Sequence, residues 1–333
     1  MSGKSGCTCP VYNTEDGDYP IPNSGYVFTS NVEHTEAVSM WCSKDSRAEA
    51  EFAYGHISQW NTSKITSMNS LFANKVYFND DISRWDLSNV VDTSNMFNAA
   101  ARFNQPIGAW KVENVSDMQL MFSDAKGFNQ PIGAWDVRNV SNMFGMFCDA
   151  RSFNQPIGAW NVSKVNDMGY MFYNVPNFNQ PIGRWDVNNV SSIKFMFSNA
   201  SRFNQSIGGW NTSNVVNMDS MFFAATSFNQ PVGQWDVSNV TNMYAMFYQA
   251  RSFNQPLGHW DVHNVLDMDN MFSDAVSFNQ PIGEWDVHNV RCGIDMLWAC
   301  PIRQPIGRWH LRIYDLTVGD EDYFFYSSNH LFV

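Results

Sequence analysis

Two short segments carry the residues best suited to ligand chemistry. His259-Trp260-Asp261-Val262-His263 and Glu284-Trp285-Asp286-Val287-His288 stand 25 residues apart. Alternate residues of a strand share a face. His259, Asp261 and His263 would then lie beside Glu284, Asp286 and His288 of a neighbouring strand. Imidazoles mixed with carboxylates form a ligand set for zinc or a similar ion. A plainer reading is also open. His263 and His288 stand where several equivalent segments have Ser, and such drift suits a solvated position.

A second candidate is the column of residues that follow tryptophan. It includes Asp136, Asp186, Asp236, Asp261 and Asp286. Stacked side by side, these carboxylates would form an acidic strip for a cation or a basic partner. Asx residues also build turns on a solvated sheet face, and that reading is favoured. A third candidate is apolar. Leu120, Phe144, Tyr170, Phe195 and Tyr244 fall nine or ten residues after a tryptophan, on a side expected to face water. Exposed aromatics in neighbouring units suggest a protein-contact strip.

No catalytic constellation emerges. An enzyme needs convergent acids, bases or nucleophiles in one pocket. Here polar residues recur in columns. Neither a Gly-rich phosphate loop nor a Ser-His-Asp set can be assembled. The sequence reads as a non-enzyme with no cofactor. Its formal net charge of -12 argues against a nucleic-acid backbone as partner. No apolar run approaches the ~20 residues that span a bilayer. Six cysteines, at 7, 9, 42, 148, 292 and 300, do not recur with the period and form no disulfide framework. Cys7-Thr8-Cys9 lacks a matching pair for zinc. The segment behind Met1 has no apolar signal core, which points to an intracellular protein.

What positions these residues is a repeat. Tryptophan falls at 60, 85, 110, 135, 160, 185, 210, 235, 260 and 285, then at 309 after one deletion. A fixed period of this length means stacked supersecondary units. Trp alternates with a Val two residues on, as at Trp110 and Val112, which reads as a short strand with both side chains inward. If the indoles instead faced outward, they could stack on sugar rings, but the Val would then be exposed too. Seven residues after each Trp from Trp60 to Trp260 comes Ser, Asp or Asn, the residue types that cap helices, and the pattern fades at Arg291-Cys292-Gly293. Met-x-x-Met-Phe-x-x-Ala follows, with the three, four and seven spacing of a helical face. Phe-Asn-Gln-Pro-Ile-Gly turns the chain back. Its Asn (Asn104, Asn129, Asn154 and onward) is expected to stack as a ladder that bonds adjacent backbone. Sequons at Asn114, Asn139, Asn189 and Asn239 follow from the repeat itself.

The expected architecture is an α/β solenoid, a leucine-rich-repeat-like right-handed superhelix of about ten coils. Each coil would hold one short β-strand and a short helix, with a parallel sheet on the concave face. Residues 1–32 read as an irregular or flexible segment. Residues 33–56 form a helical N-terminal cap, 57–309 the solenoid and 310–333 a C-terminal cap. Tyr323–Tyr326 are available to seal the last coil.

With these residues laid out, the chain resembles the BspA-like leucine-rich repeat surface proteins, in particular their 25-residue DUF285 ("Mycoplasma lipoprotein") branch. The matching run is Trp-Asp-Val-Ser-Asn-Val-Thr-Asn-Met-x-x-Met-Phe at Trp235–Phe247. The lead-in Ala37–Cys42 and the run Tyr54–Ser63 resemble members from algae and other protists. The resemblance implies a leucine-rich-like solenoid, surface or adhesion roles and no catalytic residues. Its functional expectation is a scaffold that binds a protein partner, with a cell-surface or glycan-binding module as the alternative.

Overall fold

The 25-residue period becomes a stack of coils. The computed structural model describes residues 25–306 and Trp309. Single parallel bridges join Ser67 to Asp92, Asp92 to Asp117 and onward, one per coil, to Asp267 and Cys292. Equivalent side chains of neighbouring coils touch. Trp110 stacks on Trp135 at 6.3 Å between centroids, Phe97 on Phe122 at 5.5 Å and Phe103 on Phe128 at 6.1 Å. Inside one coil Phe122 lies against Phe128 at 3.9 Å. Met118, Met121, Val112 and Val115 fill the spaces between, and all are buried. Each Phe side chain taken from water contributes about 1.5–3 kcal/mol. The core is thus a continuous column, extended by one layer per coil.

The expected helix in each coil is absent. Between Met118 and Ala125 alternate amides leave the coil. The N–H groups of Met118, Leu120, Phe122 and Asp124 donate to the carbonyls of Asn142, Phe144, Met146 and Cys148, at 3.0, 2.8, 2.9 and 2.7 Å. The amides between them fold back three residues, Met121 to Met118, Ser123 to Leu120 and Ala125 to Phe122. Leu120 and Asp124 adopt φ of +53° and +56°, in the left-handed region. The spacing of three and four thus comes from consecutive turns. The physical reason is room. Helix axes pack about 8–10 Å apart, whereas the rings of successive coils lie 5.5–6.3 Å apart.

The expected strand at Trp-x-Val is absent as well. Trp110 and Val112 are buried as the alternation requires. Yet the Val115 N–H closes onto the Val112 carbonyl at 2.9 Å, which makes a turn. The parallel bridges between repeats fall seven residues after Trp, on the column expected to cap helices. The capping chemistry itself is present: Asp117 Oδ1 accepts from the Gln119 N–H at 2.8 Å. It satisfies a turn amide instead of a helix end.

Two polar features tie coil to coil. Asn104 Oδ1 accepts from the Asn129 N–H at 2.9 Å, and Asn129 Oδ1 from the Asn154 N–H at 3.0 Å, forming the asparagine ladder. The buried indole of Trp135 donates to the Ile107 carbonyl of the preceding coil at 3.1 Å. The sequon asparagines are engaged too, as where Asn114 Nδ2 donates to the Ser88 carbonyl at 2.7 Å.

The stack begins at two helices. α1 spans Asn31–Trp41 and α2 spans Arg47–Tyr54. Ala37, Val38 and Trp41 of α1 are buried, with Met40 packed at the margin. The Ser30 hydroxyl caps α1 by accepting from Val32. Gly55, at φ +75°, ends α2. Asn31 Oδ1 accepts from the Thr66 N–H at 3.0 Å. Val27 bridges Asn61 in parallel, ahead of the first coil. His34 sits among Phe28, Trp60 and Trp85, at 4.9, 6.1 and 4.9 Å. The expectations for residues 1–24, including Cys7 and Cys9, and for 310–333, including Tyr323–Tyr326, lie outside the described residues.

Candidate functional site

The parallel bridges define one face of the stack. Where the bridging residue is Asp or Asn it holds an Asx turn, so the amide two positions on is tied down. Asn142 Oδ1 accepts from Phe144, Asp167 from Gly169, Asn217 from Asp219 and Asn242 from Tyr244, at 2.8–3.0 Å. The residues nine, ten and thirteen after Trp are displayed beside this ladder, not on the helical side that the sequence suggested.

In the central coils these positions carry rings. Phe144 lies 5.4 Å from Tyr170, and Tyr170 stacks on Phe195 at 4.6 Å with 12° between the planes. Tyr173 joins them, 5.5 Å from Tyr170. Lys194 Nζ stands 5.9 Å from both the Phe144 and the Tyr170 rings. Gly169 makes this approach possible, since a Cβ there would lie 3.2 Å from Lys194 Cγ and 3.3 Å from Phe144 Cδ2. Leu120 continues the strip onto Gly145, whose added Cβ would meet Leu120 Cδ2 at 2.5 Å. Leu120, Phe144, Tyr170 and Phe195 are half-buried, and Tyr244 is exposed. Tyr244 does not join the central rings. A second ring pair, Phe223 on Tyr248 at 4.6 Å, lies near it in sequence.

The backbone under the strip is unusual. Tyr170 and Phe195 have φ of +58° and +56°. Bulky side chains rarely enter this region, which Gly, Asn and Asp tolerate best. Other coils place Asn95, Gly145 and Asn270 at the same position, also at positive φ. Burial raises the Tyr170 hydroxyl pKa above its ordinary value, with Asp219 adding to it. Burial likewise raises the Asp219 carboxyl, while Lys194 opposes the shift.

Sequence reasoning missed Tyr173, Lys194, Phe223 and Tyr248. A signal for three of them was present. The position thirteen after Trp is Ser in Ser123, Ser198 and Ser273, and large rings replace it at Tyr173, Phe223 and Tyr248.

The acidic column behaves differently. Asp136, Asp186, Asp236, Asp261 and Asp286 each accept the N–H two residues on, from Arg138, Asn188, Ser238, His263 and His288. They are turn-builders, and the second oxygen of Asp136 also pairs with the Arg138 guanidinium at 2.8 Å. The side-chain hydrogen bond from Arg138 lowers the Asp136 pKa, and that from Ser238 lowers the Asp236 pKa. None of the five stands on the bridge column.

The histidine cluster separates into local pairs. His263 Nδ1 lies 2.7 Å from Asp261 Oδ1, and His288 Nδ1 lies 2.6 Å from Asp286 Oδ1, each within its own coil. His259 and Glu284 are exposed beside them. Among the described residues, the one place where three ligand atoms come within 4.8 Å of each other is Asp267, Asp269 and Cys292. There Asp269 accepts from the Ile294 N–H. The Cys292 thiol is pushed up, first by burial and then by Asp267 and Asp269, which disfavours the thiolate a soft metal needs. Cys42, Cys148, Cys292 and Cys300 are free thiols. The tryptophans are 2–4% exposed in the coils from Trp60 to Trp285, so the indoles offer no platform for sugars. No helix among the described residues is long and apolar enough to cross a membrane.

A family model described as "Mycoplasma protein of unknown function, DUF285" matches residues 39–160, 146–254 and 230–329. Comparison with curated proteins gives no match.

Proposed function

Since the chain belongs to the DUF285 repeat family, we propose that it acts as a non-catalytic solenoid scaffold that binds a protein partner through the ring-bearing face beside its parallel bridges. The observation that carries this reading is the conformation of Tyr170 and Phe195. Both hold bulky rings in left-handed backbone, half-exposed and stacked on one another. Such a residue costs about 1–2 kcal/mol at each position. Asn or Gly would serve the coil with less strain. Strained residues persist where function or surrounding structure requires them.

The partner contact would centre on Phe144, Tyr170, Tyr173 and Phe195, with Lys194 over the rings. Aromatic anchors with a neighbouring cation are typical of interface centres. The acidic column is a poorer candidate, because its carboxylates already serve turns. The test is affinity capture from native extract with two sets of variants. Phe144→Ala, Tyr170→Ala and Phe195→Ala together should lose the partner that wild type retains. Charge reversal at Asp236, Asp261 and Asp286 should retain it. Retention by the ring-stripped variant would remove this face from consideration.

A glycan-binding role in adhesion rests on the same half-exposed rings, which could stack on sugar faces. A glycan array separates the two readings: saturable binding to a defined sugar, lost in the ring-stripped variant, favours adhesion.

A further inference from the structure

A cleft of about 590 Å³ opens where the turn between α1 and α2 meets the first coil. It lies at the opposite end of the sequence from the Asp267–Cys292 cluster and is unrelated to the ring-bearing face. Lys44, Arg47, Lys75, Val76, Tyr77 and Asp80 are among its lining residues.

The charge of this cleft runs against that of the chain. Asp80 is its only carboxylate among the described residues, and both oxygens are engaged. Oδ1 accepts from Arg47 at 2.8 Å and Oδ2 from the Trp41 indole at 3.0 Å. Arg47 is also held over the Trp41 ring at 4.3 Å. Asp80 and Arg47 therefore cancel. Lys44 and Lys75 remain, and neither forms an ion pair with any described residue. Two ammonium groups without an ion-pair partner among the described residues thus line one concavity in a chain of net charge -12.

The cleft also has an apolar wall. Tyr77 is 76% exposed and Val76 44%. The Tyr77 ring is steadied by the Arg102 guanidinium of the next coil, at 4.8 Å. A tyrosine held by a cation on one side and open on the other offers a flat surface. Pockets for small molecules commonly span about 300–1,000 Å³ and combine apolar walls with a few placed polar groups.

We propose that this cleft binds a small organic anion. Its phosphate or carboxylate would lie between Lys44 and Lys75, and its apolar or aromatic body against Val76 and Tyr77. Lysine recognises phosphate as a point charge with rotatable donors, so the site selects charge and shape more than bidentate geometry.

The experiment is calorimetric titration of the full chain with phenyl phosphate, benzoate and inorganic phosphate. Phenyl phosphate or benzoate should bind saturably, and whichever binds tighter identifies the preferred head group. Lys44→Gln with Lys75→Gln should weaken that binding by about tenfold or more. Lys126→Gln with Lys164→Gln, which removes the same charge elsewhere, should leave it unchanged. Tyr77→Ala, at an exposed position, should weaken phenyl phosphate and benzoate but leave any inorganic phosphate binding alone. This variant decides the matter if the double lysine variant fails to fold. No saturable heat up to about 10 mM ligand, or equal affinity in wild type and the Tyr77 and lysine variants, overturns the proposal. Equal loss in both lysine pairs would show only general charge attraction and would overturn it as well.

Discussion

Gly133 lies so close to Pro156 of the next coil that a Cβ on it would stand 2.3 Å from the Pro156 carbonyl oxygen. The same contact recurs at Gly108 with Pro131 and Gly158 with Pro181, at 2.2 Å. In the sequence this glycine ends the Phe-Asn-Gln-Pro-Ile-Gly run that turns the chain back. None of the three has a positive φ, so the reason is the approach of the next coil's backbone.

Gly133→Ala should therefore destabilise the stack by about 1–3 kcal/mol, the usual cost of overpacking. Gly209→Ala is the matched control, since nothing lies within 4 Å of its added Cβ. That change should be neutral or stabilise by about 0.4–1 kcal/mol through the unfolded state. Chemical denaturation of both variants checks the contrast. Equal effects would remove the steric explanation.

Trp135→Phe keeps a ring in the column but deletes the donor to the Ile107 carbonyl, at 3.1 Å. The carbonyl keeps the Trp110 N–H at 3.1 Å, so the change removes one of its two hydrogen bonds, at a cost of about 0.5–1.5 kcal/mol. The denaturation midpoint should fall accordingly. A midpoint equal to that of wild type would mean the hydrogen bond carries no net stability.

His34 predicts an acid-sensitive end. Both of its ring nitrogens are buried without a hydrogen-bond partner among the described residues. Burial lowers its pKa from 6.5 to about 4. In the unfolded chain His34 takes up a proton as pH falls below 6.5, while the folded chain resists until about 4. Stability is thus fully present above the unfolded value, declines between 6.5 and 4, and levels off below. Each unit is worth about 1.4 kcal/mol, so the loss approaches about 3 kcal/mol. His34→Leu should lack this component. The difference between the two stability curves across that window is the measurement, and parallel curves would contradict it.

Phe195→Asn separates binding from folding. Asparagine suits φ of +56°, relieving about 1–2 kcal/mol of strain. The lost stacking on Tyr170 removes about 0.5–1.5 kcal/mol. Stability should stay within about 1 kcal/mol of wild type, while partner capture falls. A variant that binds as wild type does would argue against the ring-bearing face.

Much of the architecture was legible in residue types. Which side chains enter the interior follows from Trp110, Val112, Met118, Met121 and Phe122 alone, because apolar side chains recurring at one offset must meet in a stack. The asparagine ladder was equally legible, since an amide repeated every 25 residues faces its own copy. The local conformation was not. Met-x-x-Met-Phe carries helical spacing, yet Leu120 and Asp124 turn left-handed. A hint lay in Asn74, Asp124, Asp149, Asn174 and Asn199, types that tolerate positive φ.

The candidate site was legible only in part. Phe144, Tyr170 and Phe195 were visible as apolar residues out of pattern, whereas their union with Tyr173 and Lys194 depends on how coils register. His263 and His288 show the reverse. Their spacing suggested one shared site, but each ring hydrogen-bonds the aspartate two residues before it in its own coil. The chain's own periodicity determined what is buried and what repeats, because hydrophobic burial depends on residue type and offset. Tertiary contact alone decided the backbone, because ring layers about 6 Å apart exclude a helix per coil and send alternate amides across to the next coil.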